Sequence, residues 1–270
     1  MKELLDLYDA FLFDMDGVLR RGNHGIPGAN ETLKAIRKHE KPFLILTNDA
    51  ANTPALVWER LRRAGIDASD AEILTASQVI LDYLGSRFPK GSRVISIAAE
   101  GVSDMLQGIG MEILPSDDIR TTYHKANLVV VCSTVRLNFE LVNAAVNAIR
   151  KYQIPLLVAN SDYLIPGNND EVRVGPGAII EIIEKITDVK AIGTGKPFSP
   201  IFDLALKRLG VQRKNTLMVG DSLLSDIRGG SHYGLDTLLV LTGLHKEGDV
   251  EEAMTKSGIF PTYILPSVAL

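Results

Sequence analysis

Residues 10–23 read AFLFDMDGVLRRGN, an apolar run that ends in two acids, Asp14 and Asp16, with a glycine at position 17. Residues 10–13 have the length and composition of a buried strand, and a carboxylate left unpaired at its end is costly to desolvate. An exposed strand end, a basic partner or a bound cation would each compensate. In an extended segment positions i and i+2 project to the same side, and open α/β sheets bind ligands outside the carboxyl ends of their strands. Gly17 lets the backbone turn sharply just there. The DMD triplet alone carries little weight, because 19 aspartates in 270 residues produce roughly one Asp-x-Asp by chance. Its setting carries the argument.

Outward from this stretch, short aliphatic or β-branched runs alternate with longer amphipathic segments, the pattern of βα units and a parallel sheet. Strands are expected at 10–13, 43–47, 94–98, 128–132, 156–159, 190–193, 216–220 and 237–241. Most are almost wholly apolar, as strands covered on both faces should be. In NTPALVWERLRRAG, Thr53 is placed to cap a helix, Pro54 to open it and Gly65 to stop it. FSPIFDLALKRLG repeats the signals with Ser199, Pro200 and Gly210. The stretch 76–191 contains its own strands and helices, and its SDYLIPGNNDEVRVGPGA segment reads as a long polar surface loop. This points to an inserted second α/β domain at 76–191, flanked by a discontinuous core of 1–75 and 192–270.

Composition narrows the partners. A net charge of −4 with 46% hydrophobic residues offers no basic excess for a nucleic acid backbone or an anionic membrane, so a small molecule is the expected partner. Cys132 is the single cysteine and excludes an intrachain disulfide; a reducing compartment is the simplest reading, and its valine neighbours predict a buried, inert thiol. No run approaches the roughly 18 apolar residues of a membrane span, and MKELLDLYDAF lacks the pattern of a secretory signal. The expectation is a soluble, cytoplasmic protein, with a homodimer as the assembly entertained.

Three further strand ends carry suggestive groups. Thr47 and Asn48 follow PFLILT, Lys196 follows KAIG in TGKP, and Asp221 and Asp226 follow TLMVG in GDSLLSD. Pro197 disfavours helix at Lys196 and leaves its ammonium just ahead of the helix that follows. Each group alone has an ordinary explanation, such as a solvated strand end. Four carboxylates, one ammonium, one hydroxyl and one amide at successive strand ends are harder to dismiss. Hard oxygen donors with so few neutralising bases suit Mg²⁺ together with phosphate oxygens, and charge neutralisation with alignment is what phosphoryl transfer chiefly asks of a protein.

With these four motifs in order (DMDGV, Thr47 in LILTND, Lys196 in GKP, and Asp221 with Asp226 in GDSLLSD), the sequence resembles the haloacid dehalogenase superfamily of phosphohydrolases. The insert's place between the second and third motifs is similar to subclass IIA, the NagD-like or nitrophenylphosphatase-like group, as are PGA at Pro27 and LVLTG ending at Gly243. The resemblance implies a Rossmann-like, doubly wound parallel-sheet core with an inserted α/β cap. It implies a Mg²⁺-dependent phosphatase for small-molecule phosphate monoesters such as sugar phosphates and nucleotides. Asp14 would be the nucleophile, passing through an aspartyl-phosphate, and Asp16 the general acid and base. The metal would be held by Asp14, Asp221 and the backbone carbonyl of Asp16, with Asp226 behind them. Thr47, Asn48 and Lys196 would hold the phosphoryl group, and Asn160 and Asp162 in ANSDYLIP would meet the substrate. For Arg20 and Arg21 the readings are contact with an anionic substrate or, preferred, part of a solvated flap. One departure stands out: the group has a second Asn after Asn48 where this chain has Asp49, which either turns away or alters substrate preference. The alternatives are a phosphomutase, in which a sugar hydroxyl replaces water, and a non-catalytic phosphoacceptor module of the receiver kind. A receiver carries its paired acids and its acceptor on different strands.

Overall fold

The computed structural model describes residues 1–133, 137–166 and 172–270. The chain forms two compact units, Met1–Thr47 with Pro54–Leu74 and Lys196–Leu270, and Asn48–Thr53 with Thr75–Gly195. Among the described residues no helix is long and apolar enough to cross a membrane.

The first unit is built on a six-stranded sheet in the order Tyr263–Leu265, Asp236–Val240, Thr216–Gly220, Ala10–Asp14, Phe43–Thr47, Ile73–Thr75. Ala10–Asp14 lies at its centre, parallel to both neighbours, with Phe13 opposite Val219 on one side and Asp14 opposite Leu46 on the other. Alternate residues Phe11, Phe13, Ile45, Leu217 and Val219 join one core with Leu33 and Ile36 of helix Ala29–Lys38 and Val57 and Leu61 of helix Pro54–Arg63. Leu12, Leu44 and Met218, the intervening residues, are also buried, so both faces of the sheet are covered. Helix Ser199–Leu209 packs on Phe43–Thr47. Removing each buried Phe from water contributes roughly 2–3 kcal/mol. That apolar grip fixes the strand register and with it the position of Asp14.

The second unit has a five-stranded parallel sheet, Ile192–Gly193, Leu156–Val158, Leu128–Val131, Arg93–Ile97, Glu112–Ile113. One face packs Ile95, Val129 and Val131 against helices Phe139–Tyr152 and Pro176–Thr187. The other packs Val94, Leu128 and Val130 against helices Ala76–Arg87 and Glu100–Gly108. Cys132 is buried in this second layer, and burial pushes its thiol up to about 12.

Several expectations need correcting. Ile192–Gly193, expected to begin the second part of the core, pairs instead with Leu157 and Val158 in the five-stranded sheet; two residues suffice because the partner strand supplies the ladder. Part of the expected long loop is an antiparallel hairpin of Leu164–Pro166 with Val172–Val174, while 167–171 lie outside the described residues. Ser199 is the first helical residue rather than the cap, and Phe198 precedes the helix without a side-chain capping bond. Pro200 tolerates that start, because an amide in the first helical turn has no intrahelical partner to lose. Gly210 closes the helix in the left-handed conformation, as its position predicts.

Candidate active site

Parallel register brings the ends of the central strands to one edge. Asp14 is the last residue of its strand, Asp221 follows Thr216–Gly220 directly, and Asp226 stands on the short π-helical turn Leu223–Ile227. One carboxylate oxygen of each lies within 4.8 Å of the others, a grouping that can hold a metal ion. Lys196, with 1% exposure, reaches into the same place. Its Nζ lies 2.5 Å from Asp14 Oδ1 and 2.7 Å from Asp226 Oδ1, and donates to the Leu46 carbonyl at 3.1 Å.

Asp221 occupies a niche that only glycines leave open. A Cβ on Gly243 would come within 1.8 Å of Asp221 Oδ2, and one on Gly17 within 2.2 Å. Gly17 also turns at φ +84°, in the left-handed region. The Leu244 N–H donates to Asp221 Oδ2 at 2.9 Å, and the Thr242 hydroxyl donates to the Gly17 carbonyl at 2.6 Å, tying the two walls together. Asp226 is held in turn by the Ser222 N–H at 3.1 Å.

Charge does not balance in this cluster: three carboxylates face one ammonium. Burial raises the Asp14 carboxyl well above its usual range; Lys196 opposes this and the neighbouring Asp226 and Asp221 reinforce it. Asp221 is pushed up to about 7 by burial and by Asp226, against the pull of the Leu244 N–H and Lys196. For Lys196, burial acts downward, but Asp14 and Asp226 outweigh it and hold the ammonium above the usual lysine value. Hard oxygen donors with an excess of negative charge are the donor set of a divalent cation such as Mg²⁺. The residues present fit such an ion.

The other expected residues fall in different settings. Thr47 ends the Phe43–Thr47 strand and is buried. The Asp16 carboxylate stands apart from the three clustered acids, half exposed and 2.9 Å from Arg20 Nη2. Arg20, read as part of a solvated flap, is buried instead, while Arg21 remains exposed and donates to the Thr242 carbonyl. In the second unit, the Asn48 amide donates to Asp162 at 3.2 Å and the buried Asn160 donates to the Asn48 carbonyl at 2.5 Å. Asp49 accepts from the Ala51 and Asn52 N–H groups, both at 3.0 Å, and from the Asn52 side chain at 2.9 Å. The acid thus closes its own turn. Sequence reasoning did not foresee the niche made by Gly17 and Gly243 or the burial of Arg20. Glycine at 243, two residues beyond the strand predicted at 237–241, was the available signal for the first.

Comparison with known proteins agrees with this geometry. Residues 11–112 match the family model of haloacid dehalogenase-like hydrolases, and residues 193–269 a second, HAD-hydrolase-like model. The glycerol-3-phosphate phosphatase of Rattus norvegicus is 31% identical over 99% of this chain and 91% of its own length. The chain belongs to the haloacid dehalogenase-like hydrolases. Within them this hydrolase falls in the NagD-like group of phosphatases. An acid sugar phosphatase of Staphylococcus epidermidis is 29% identical over 95% of this chain and 93% of its own. NagD from Escherichia coli K-12 superposes with a TM-score of 0.83 at 27% identity, covering 97% of each chain. The glycerol phosphate phosphatase Rv1692 from Mycobacterium tuberculosis, solved in complex with magnesium, gives a TM-score of 0.84 at 25% identity. The match covers 98% of this chain and 76% of that one.

Proposed function

We propose that this hydrolase releases inorganic phosphate from small-molecule phosphate monoesters in a Mg²⁺-dependent reaction that passes through an aspartyl-phosphate on Asp14. The observation that supports this reading most is the buried meeting of Asp14, Asp221 and Asp226 with Lys196 between two of them. The names of its relatives, a glycerol-3-phosphate phosphatase and an acid sugar phosphatase, suggest polyol and sugar phosphates as the first esters to try.

In the first step an Asp14 oxygen attacks phosphorus in line, the bond from phosphorus to the ester oxygen breaks, and Asp16 gives that oxygen a proton. In the second, Asp16 takes a proton from water, which attacks phosphorus, frees the Asp14 carboxylate and releases phosphate. One hard displacement becomes two easier ones. Lys196 and the Thr47 hydroxyl hold the phosphoryl oxygens, and Lys196 also favours the ionised form of Asp14 against the pull of burial. Asp14, Asp221 and the Asp16 backbone carbonyl would hold Mg²⁺, with Asp226 as the outer support. When bound, the ion neutralises the acids and the phosphoryl charge, so that an anionic nucleophile can approach an anionic ester.

The test is phosphate release from a panel of glycerol phosphate, sugar phosphates and nucleotides, with Mg²⁺ and after chelation, for wild type and Asp14→Asn. Turnover should require the metal, and the variant should lose at least about a thousandfold. Full activity after chelation, or turnover retained without the Asp14 carboxylate, refutes the proposal. Phosphate appearing only on a second sugar hydroxyl would point to a mutase.

A further inference from the structure

Arg20 is a buried arginine for which the steps above have no use. The chain from Met15 to Arg20 closes on itself: the Leu19 and Arg20 N–H groups donate to the Met15 carbonyl at 3.0 and 3.1 Å, and the Gly17 N–H donates to the Arg20 carbonyl at 2.8 Å. This loop sets Arg20 beside Asp16. The guanidinium then makes two contacts, Nη2 to Asp16 Oδ1 at 2.9 Å and Nη1 to the Gly22 carbonyl at 3.0 Å. Burial is lopsided, with 10% of the Arg20 side chain exposed against 54% of Asp16.

Exposed i,i+4 ion pairs usually contribute little, because two long, mobile side chains must be held in one geometry. Here one end is already immobile. The arginine stem is buried and its planar fork is fixed at a second point by a backbone carbonyl, so little freedom remains to lose when the fork meets a carboxylate. The pair with Arg20 therefore gives the half-exposed Asp16 carboxylate a fixed point at Oδ1.

We propose that Arg20 is a positioning residue, holding the Asp16 carboxylate in the rotamer from which it transfers a proton to the leaving oxygen. This rests on the role given to Asp16 above. Positioned acid catalysis is worth roughly 10²- to 10⁴-fold, and it matters most when the departing oxygen is strongly basic. An alkyl ester such as glycerol phosphate needs that proton; p-nitrophenyl phosphate, which releases a weakly basic phenolate, needs it far less.

The experiment measures kcat/KM, which reports the steps up to departure of the leaving group, for glycerol phosphate and p-nitrophenyl phosphate at saturating Mg²⁺. The variants are Arg20→Met, which keeps an apolar stem and removes the fork, and Arg20→Lys, which keeps the charge but cannot serve two acceptors in the same plane. In both, kcat/KM should fall at least about tenfold for glycerol phosphate, a part of the acid's full contribution, and less than about threefold for the chromogenic ester. Equal losses on both substrates would mark Arg20 as merely structural and overturn the inference. So would a faster alkyl ester, or full recovery by lysine, which would assign the effect to charge alone. Asp16→Asn separates this from the underlying reading. If that variant collapses on glycerol phosphate while both Arg20 variants match wild type, only the positioning role fails; if it retains wild-type rates, the acid role itself is wrong.

Discussion

Removing the metal and lowering the pH should act on one carboxylate in opposite ways, and Asp221 sets the size of the effect. Its carboxyl is raised from 3.8 to about 7 by burial and by Asp226. At 1.36 kcal/mol per tenfold change in proton affinity, keeping it ionised in the metal-free fold costs on the order of 4 kcal/mol. The unfolded chain binds this proton only near 3.8, whereas the folded chain binds it below about 7. Metal-free stability therefore rises as the pH falls through 7. Between pH 8 and pH 6 the gain is on the order of 1 kcal/mol, or a few °C in melting temperature for a chain of this size. Magnesium competes with the same proton, so its apparent affinity should be about tenfold weaker at pH 6 than at pH 8. The Asp14 carboxyl, also held above its usual range, adds in the same direction. Calorimetric titration of Mg²⁺ into chelator-stripped protein at both pH values, with thermal melts of the stripped protein alongside, measures both effects. Equal affinities at the two pH values, or a metal-free melting temperature that drops on acidification, would refute the reasoning.

Lys196→Met leaves Asp14 and Asp226 buried without their shared cation, and should destabilise the metal-free protein by about 3–5 kcal/mol in denaturant titration, with part of the loss restored by Mg²⁺. Gly243→Ala puts a methyl group where Asp221 Oδ2 now lies; phosphatase activity should fall at least about a hundredfold and the thermal response to Mg²⁺ should disappear, while circular dichroism is unchanged. Asp49→Asn keeps the turn's acceptor oxygen, so the ranking of substrates should be preserved and stability should fall by no more than about 1 kcal/mol; a reordered substrate panel would show that Asp49 addresses the substrate after all.

Much of the core was readable because its strands are apolar on both faces. Residues 10–13, 43–47 and 216–220 announce themselves without any periodicity, and observed strands elsewhere differ from the expected ones by a residue or two, as Arg93–Ile97 and Asp236–Val240 do. The meeting of Asp14, Lys196, Asp221 and Asp226 was also legible, since parallel strands deliver their carboxyl ends to one edge. Glu112–Ile113 and Ile192–Gly193 were not foreseen as they stand, because two residues carry no pattern of their own and become strands only when a neighbour offers a ladder. Pro166 disguised the Leu164–Pro166 hairpin strand as loop. Arg20 looked like a surface charge because its burial depends on a loop that returns to Met15, which composition does not record.

The pairing of Asp14 with Lys196 spans 182 positions of the polypeptide. During synthesis the acid leaves the ribosome long before Lys196 and the neighbouring strand Thr216–Gly220 exist, so in a half-made chain the middle strand lacks both. A truncated product ending before Lys196 would keep Asp14 but have neither its ion-pair partner nor one of the two strands that flank it.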